Sequence, residues 1–436
     1  MDKETAKQKA MEAIDAKADR IIEFAEDIWA NPELGFKEFR TADKVMEFFE
    51  EIGLDYESGI ARTGIRADVS GKSDDIRVAI LGELDAVTCS DHPNADPETG
   101  AVHACGHHGQ LAVMLGTAVG LTQTGIADDL AGALSFIAVP AEEFIQLEYR
   151  EGLQEEGEIE FFGGKQELIR LGVMDDVDMA AMVHHQAETP QRVIKVAKGS
   201  NGFLGKTVRY EGQEAHAGAA PHYGVNALNA AMLGLMGIHA QRETFKDEDA
   251  IRVHPIITKG GDLVNIVPAD VSLETYVRGR SIEAILDAND KVNRALEGGA
   301  HAIGAEVKIR EIPGYLPLKS DLNLNDLYSD NVRALLGDEG VEEAEASGGS
   351  TDMGDISQIM PAIHPFVGGV EGKAHARDYR VVDPEMAYVV PAKAMAAMVI
   401  DLLWDDASAA KKVKDEYEPT YTKEEYLKMW RGLAKS

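Results

Sequence analysis

Apolar and polar positions follow two rhythms along this chain. From about Glu4 to Asn31 the apolar residues recur at helical spacing until Asn31-Pro32, which predicts one amphipathic helix. Thr41 to Ile52 repeats the rhythm, with Thr41 placed as an N-cap. Ile76 to Leu81 is a short run rich in β-branched residues and reads as a buried strand. Ala133 to Val139, ending at Pro140, and Met179 to Val183 read the same way. Gly109 to Thr122 is apolar and rich in Ala and Gly, which predicts a helix packed closely on a sheet. Strands alternating with helices predict an α/β layer domain with a largely parallel sheet.

The pattern then changes. Thr207–Tyr210, Ile251–Thr258, Val271–Val277 and Val307–Ile312 read as strands, with helices at Gly224–His239 and Ser281–Ala302. The order strand–helix–strand–strand–helix–strand is that of a ferredoxin-like unit. After Pro317 the chain returns to helices and Gly-rich loops, then a helix from Pro391 to Trp404 and a charged, helical tail beyond Asp405. The simplest organisation is a larger mixed-sheet α/β domain, 1–196 and 316–436, interrupted by a ferredoxin-like α+β insertion at 197–315.

Length and composition agree. The 436 residues suffice for two or three domains, and 44% hydrophobic with 27% charged residues is ordinary for a globular protein. Lys and Arg number 43 against 76 Asp and Glu, a net charge of −33, which argues against nucleic acid or anionic membrane as a partner. Two cysteines are too few for a secreted disulfide framework. Met1–Glu26 lacks the pattern of a signal peptide, and no apolar run is expected to reach the ~20 residues of a membrane span. These features predict a cytoplasmic protein.

Three segments carry chemistry. His103-Ala-Cys105-Gly-His107-His108 gathers three histidines around one of the two cysteines at a loop-to-helix junction. Cys and His are the ligand types that borderline metals prefer. Pro140-Ala-Glu142-Glu143 places paired carboxylates at a strand's carboxyl end, and the third strand leads into His184-His185. Each segment has a bland alternative: an inert buried Cys, polar loop histidines, or acids at a helix N-terminus. In open α/β sheets, however, ligand sites lie beyond the carboxyl ends of strands. Cys/His, Glu/Glu and His/His at one sheet edge therefore read together as a metal site.

These segments, with Asn31-Pro-Glu-Leu-Gly35, Gly82-Glu-Leu-Asp-Ala86, Ala215-His-Ala-Gly218, Asn226-Ala-Leu228, Asn265-Ile-Val-Pro268, Gly349-Ser-Thr-Asp-Met-Gly354 and His375, occur in an order that runs nearly end to end. In that order and spacing the sequence resembles the zinc-dependent aminoacylase and carboxypeptidase G-type metallopeptidase superfamily. The resemblance falls in the branch of aminobenzoyl-glutamate, indoleacetyl-amino acid and hippurate hydrolases and related dipeptidases.

The resemblance implies two divalent metal ions, zinc first, with manganese or cobalt as alternatives. Cys105 (bridging), His107, Glu143, His184 and His375 would be the ligands, and Asp85 would orient a ligand histidine. Glu142 would be the general base that activates a metal-bound water, then the acid toward the leaving amine. His108 departs from the aspartate common at its position, and His185 is left without a role. The insertion would be a lid and dimerisation domain of a homodimer. His216 would polarise the scissile carbonyl; Asn265 and Arg278 would bind the substrate carboxylate, with Gly349 and Ser350 lining the pocket. The implied reaction is hydrolysis of a small N-acyl amino acid or dipeptide. A Cys105 nucleophile with His107 or His108 as base, and a silent binding protein of the same fold, stand as alternatives. The segment 144–159 is longer than in typical relatives and rich in Glu, with Arg150 inside it; an acidic rim there would suit a cationic substrate.

Overall fold

The computed structural model describes residues 1–187, 189 and 191–434. The chain divides into two compact units: Met1–Gly199 with Lys319–Ala346 and Asp355–Tyr421, and Ser200–Leu318 with Ser347–Gly354 and Thr422–Ser436.

The first unit is built on a six-stranded mixed sheet. Its elements in chain order are β1 (Tyr56–Ile60), β2 (Gly64–Val69), β3 (Arg77–Glu83), helix α1 (His107–Thr122), β4 (Ala133–Val139), helices α2 (Leu147–Glu155) and α3 (Gly164–Leu171), and β5 (Met179–Ala181). The spatial order is β1-β2-β4-β3-β5, closed by the strand Ala362–Ile363. β1, β2 and β4 pair antiparallel, whereas β4, β3, β5 and Ala362–Ile363 run parallel. Four carboxyl ends therefore open on one edge. They deliver Glu142-Glu143, Glu83 with Asp85, His184-His185 and His364. Every residue of α1 except its last is buried, which explains why it is apolar on all sides.

Local expectations needed four corrections. The N-terminal helix is broken at Lys17 into Lys3–Ala16 and Ala18–Ala30. Thr41 does not cap the next helix, which begins at Phe39. Instead the Glu33 carboxylate accepts the Arg40 and Thr41 N–H groups at 3.1 and 2.7 Å, so a side chain from the preceding segment serves the helix start. The run Met179–Val183 stops as a strand at Ala181, and His184–His185 pairs instead with Phe366–Val367 in a separate small sheet. Finally, Glu385–Leu403 is long and apolar enough to cross a membrane by length and composition, against expectation; 89% of its apolar window is buried inside the protein, which accounts for the run.

The second unit has β6 (Gly202–Glu211), α4 (Ala227–Ala240), β7 (Ile256–Lys259), β8 (Asp270–Gly279), α5 (Ile282–Ile303) and β9 (Glu306–Tyr315). All pairings are antiparallel in the order β7-β8-β6-β9, which is the ferredoxin-like arrangement. The two helices pack on each other and on the sheet. The expected boundaries 197–315 both shift three residues toward the C-terminus, to Ser200–Leu318. Assigning all of 316–436 to the first unit is corrected as well. Ser347 bridges to Ser200, and the helix Lys423–Leu433 packs on β9.

Candidate metal centre

The site is assembled where the parallel strands end. Gly106, with φ at +95°, takes the left-handed turn between Cys105 and His107; a side chain there would collide with the Tyr379 hydroxyl and His185. That turn starts α1 with His107 pointing at Asp85. His107 Nδ1 lies 2.9 Å from the Asp85 carbonyl and 3.1 Å from its carboxylate. Both are acceptors, so Nδ1 carries a proton, and Nε2 is the nitrogen that would present its lone pair to an ion. The other Asp85 oxygen accepts the Glu143 N–H at 2.8 Å, so one carboxylate sets two predicted ligands. His184 Nδ1 donates to the His185 carbonyl at 2.8 Å, leaving its Nε2 3.3 Å from Cys105 Sγ. His375 arrives on a loop at φ +58°, with Nε2 3.3 Å from Cys105 Sγ and 3.2 Å from Glu143 Oε1.

Three donor groups result: Cys105–His107–His184 and Cys105–Glu143–His375, which share Cys105, and Glu83–His107–Glu142. In each, the ligand atoms lie within 4.8 Å of one another. Glu142 stands beside the first two, with Oε2 3.8 Å from His107 Nε2. The buried His107 Nε2 and Glu143 Oε1 make no hydrogen bond of acceptable geometry, as expected of atoms kept for an ion. Thiol, imidazole and carboxylate donors in this grouping fit divalent ions.

The electrostatics point the same way. Burial and the Glu143 carboxylate push the Cys105 thiol up, but the His184 and His107 imidazoles outweigh them and leave it at about 6. Burial opposes ionisation of Glu143, yet His375 draws it down to about 2. Glu143 in turn lifts His375 to about 11. Burial disfavours a charged His107, but Glu83 and Cys105 raise it well above the ordinary histidine range. The anionic donors thus hold protons on imidazoles at positions where a divalent cation would displace them.

Several residues of the site were not read from the sequence. Glu83 lies at the end of β3 with Oε2 3.0 Å from His107 Nε2, and its other oxygen accepts from the fully buried Lys165 of α3. His364, buried and without a hydrogen-bond partner among the described residues, has its ring 5.4 Å from that of His184. Glu83 stood in plain view two residues before Asp85; His364 follows a two-residue strand too short to recognise. His185 turns away and meets the Ala387 carbonyl at 2.7 Å; His108 meets the Tyr388 hydroxyl at 3.1 Å. Burial lowers the pKa of both, so they are neutral wall residues.

The other predicted residues belong to the second unit and form two pairs. His216 and Asn265 are exposed on adjoining loops, where the Ala217 N–H donates to the Asn265 carbonyl at 2.9 Å. His216 Nδ1 accepts the N–H groups of Gly218 and Ala219, which leaves Nε2 outward. Arg278 lies over the Phe203 and Tyr276 rings and donates to the Ser350 hydroxyl at 3.2 Å. Gly349 is exposed on the same loop as Ser350.

Comparison with known proteins fits this arrangement. Residues 79–401 match peptidase family M20/M25/M40. A mouse Xaa-Arg dipeptidase is 30% identical across 97% of this chain and 95% of its own length. An N-acetylcysteine deacetylase of Bacillus subtilis is 26% identical across 80% and 88%. A solved dinuclear metal-binding M20 peptidase of B. subtilis superposes with a TM-score of 0.68 at 24% identity, covering 89% of this chain and 99% of that one. The match over most of the chain and the relative spanning nearly all of it place this protein in peptidase family M20/M25/M40, as a metal-dependent hydrolase of amide bonds in N-acyl amino acids or dipeptides.

Proposed function

We propose that the protein is a zinc dipeptidase that releases a basic C-terminal residue (arginine, lysine or ornithine). The observation that carries the reading is the pair of donor triads sharing Cys105 beside Glu142. The basic preference draws on the name of the mouse relative and on Glu148 and Glu151 in α2, the helix that adjoins Glu143.

Cys105, His107, His184, Glu143 and His375 would hold divalent ions, which when bound would supply Lewis acidity and lower the pKa of water from ~15.7 toward ~7. Glu142 takes the proton of the attacking water and returns it to the leaving amine. Asp85 holds His107 in one tautomer and fixes the Glu143 backbone throughout. His216 donates to the developing oxyanion, and Arg278, with Asn265 and the Gly349-Ser350 loop, receives the substrate carboxylate.

We further assign a homodimer joined through the second unit. Met232, Leu233 and Met236 expose an apolar stripe on α4, and Ile256 and Ile257 do the same on the edge strand β7. Both cysteines are free, and a thiolate ligand at Cys105 suits the reducing cytoplasm.

The test is amine release from a panel of Xaa-Arg, Xaa-Lys and Xaa-ornithine dipeptides with N-acyl amino acid controls. Each is assayed before and after chelation and after restoring zinc or manganese. Chelator-sensitive cleavage of the basic dipeptides, restored best by zinc, is expected. Cleavage indifferent to chelation would return Cys105 to the role of nucleophile.

A further inference from the structure

We propose that Arg150 is a positioning residue. It grips the peptide carrying Glu143 and thereby controls the Cys105–Glu143–His375 triad without touching Cys105–His107–His184. The inference rests on the dinuclear reading above.

Arg150 sits in α2 yet is only 1% exposed. Burying a guanidinium is costly unless a carboxylate compensates it, and none pairs with it among the described residues. Its bonds go instead to two backbone carbonyls: Nη1 donates to Phe162 and Nη2 to Glu143. The group also stands 5.3 Å from the Phe36 ring.

The segment it holds needs holding. Ala141 adopts φ +51°, an uncommon conformation for a residue with a side chain. Beside backbone bonds from Ile145 N–H to the Glu143 carbonyl and from Gly164 N–H to the Ala141 carbonyl, three side chains fasten the strained turn. Glu38 accepts the Ala141 N–H at 2.8 Å, Asp85 accepts the Glu143 N–H at 2.8 Å, and Arg150 takes the Glu143 carbonyl. Glu143 is thus clamped on both sides of its own α-carbon. Gly35 makes this possible, because a Cβ there would lie 2.6 Å from Arg150 Nη2 and 3.0 Å from Ala141. That gives the Asn31–Gly35 segment a role at the site: it leaves room for the guanidinium.

The other triad shares Asp85 but has no contact with Arg150. His107 leans on Asp85, and His184 on the His185 carbonyl. Removing Arg150 therefore loosens Glu143, and with it the neighbouring base Glu142, while the second triad keeps its partners. The long segment 144–159 acts here through a buried cation, apart from any effect of its surface acids.

The experiment uses full-length wild type, R150M, R150K and G35A, loaded with zinc. Metal per chain is counted after gel filtration, and stepwise affinities are read by competition with a chromophoric chelator. Wild type should hold two ions. R150M should keep one at wild-type affinity and bind the other roughly 10- to 100-fold more weakly, the usual cost of losing an outer partner. Its kcat should fall while KM changes less than about twofold, since Glu142 loses its orientation and substrate contacts remain. R150K should restore part of the loss. G35A, which displaces the guanidinium without removing it, should repeat the one-ion defect. R150M with both ions at wild-type affinity, or with both lost in parallel, overturns the proposal; so does loss of fold in all three variants, which would make Arg150 simply structural. Absence of bound zinc in wild type would instead overturn the dinuclear reading itself.

Discussion

The two halves of the metal centre are built differently. Cys105, His107 and His184 come from strand ends and a helix start, backed by the buried Glu83, Lys165 and His364. Glu143 and His375 come from a strained turn and a loop, and the His375 side chain is 49% exposed. One half is locked by the sheet; the other is held by individual hydrogen bonds and reaches solvent at His375, while Glu143 stays buried. The lesson is that the first half serves as an anchor, with Glu142 beside its His107, whereas the second depends on separate hydrogen bonds.

The largest effect should come from the base that stands between the halves. Glu142→Gln should lower kcat by roughly 10²- to 10⁴-fold with both ions retained, measured by turnover and metal content on one preparation. Unchanged turnover would remove Glu142 from its role. Next come the ligands. Cys105→Ala should lose both ions, because the sulfur serves both triads, while His375→Ala should lose only the one on the open side. If the two variants have equal metal content, the halves are not distinct. A smaller effect is expected at the edge of the open half. Glu148→Gln with Glu151→Gln should raise KM for Xaa-Arg substrates a few-fold, as expected for exposed charges, and leave neutral ones unchanged. An equal change for both substrate types would dismiss the acidic rim.

A further effect concerns stability and pH and leaves turnover aside. Burial, reinforced by the Asp85 carboxylate, pushes Glu38 up to about 7 from its ordinary 4.5. The folded state therefore favours its protonated form. The contribution to stability is fully present below about pH 4.5 and is lost as pH rises through about 7. Glu38→Gln removes this dependence, so metal-free wild type should lose up to about 3 kcal/mol relative to the variant between those limits. Parallel melting curves across that range would show that Glu38 ionises as freely as in the unfolded chain.

Legibility followed the same division. The donors at strand ends could be read because a short apolar run followed by Cys, His or Glu is a local pattern. His184 was separable from His185 only through resemblance, and the structure supplies the reason: the first ring faces Cys105 and the second faces Ala387. Thr41 misled because its helix is served by a carboxylate eight residues earlier, which no window on the helix itself reveals. Arg150 looked like part of a charged surface segment.

By itself the sequence determined the layered α/β architecture and the ferredoxin-like insertion, since periodicity is a property of contiguous residues, whereas the donor set was implied only by the resemblance. Only the tertiary structure decided which charges are buried together. Lys165 meets Glu83 across 82 residues of chain, and Glu38 meets the turn at Ala141 across 103. Those pairings exist because β4, β3 and β5 lie side by side with their carboxyl ends aligned. A charge becomes cheap to bury only when that alignment brings its partner within hydrogen-bond reach.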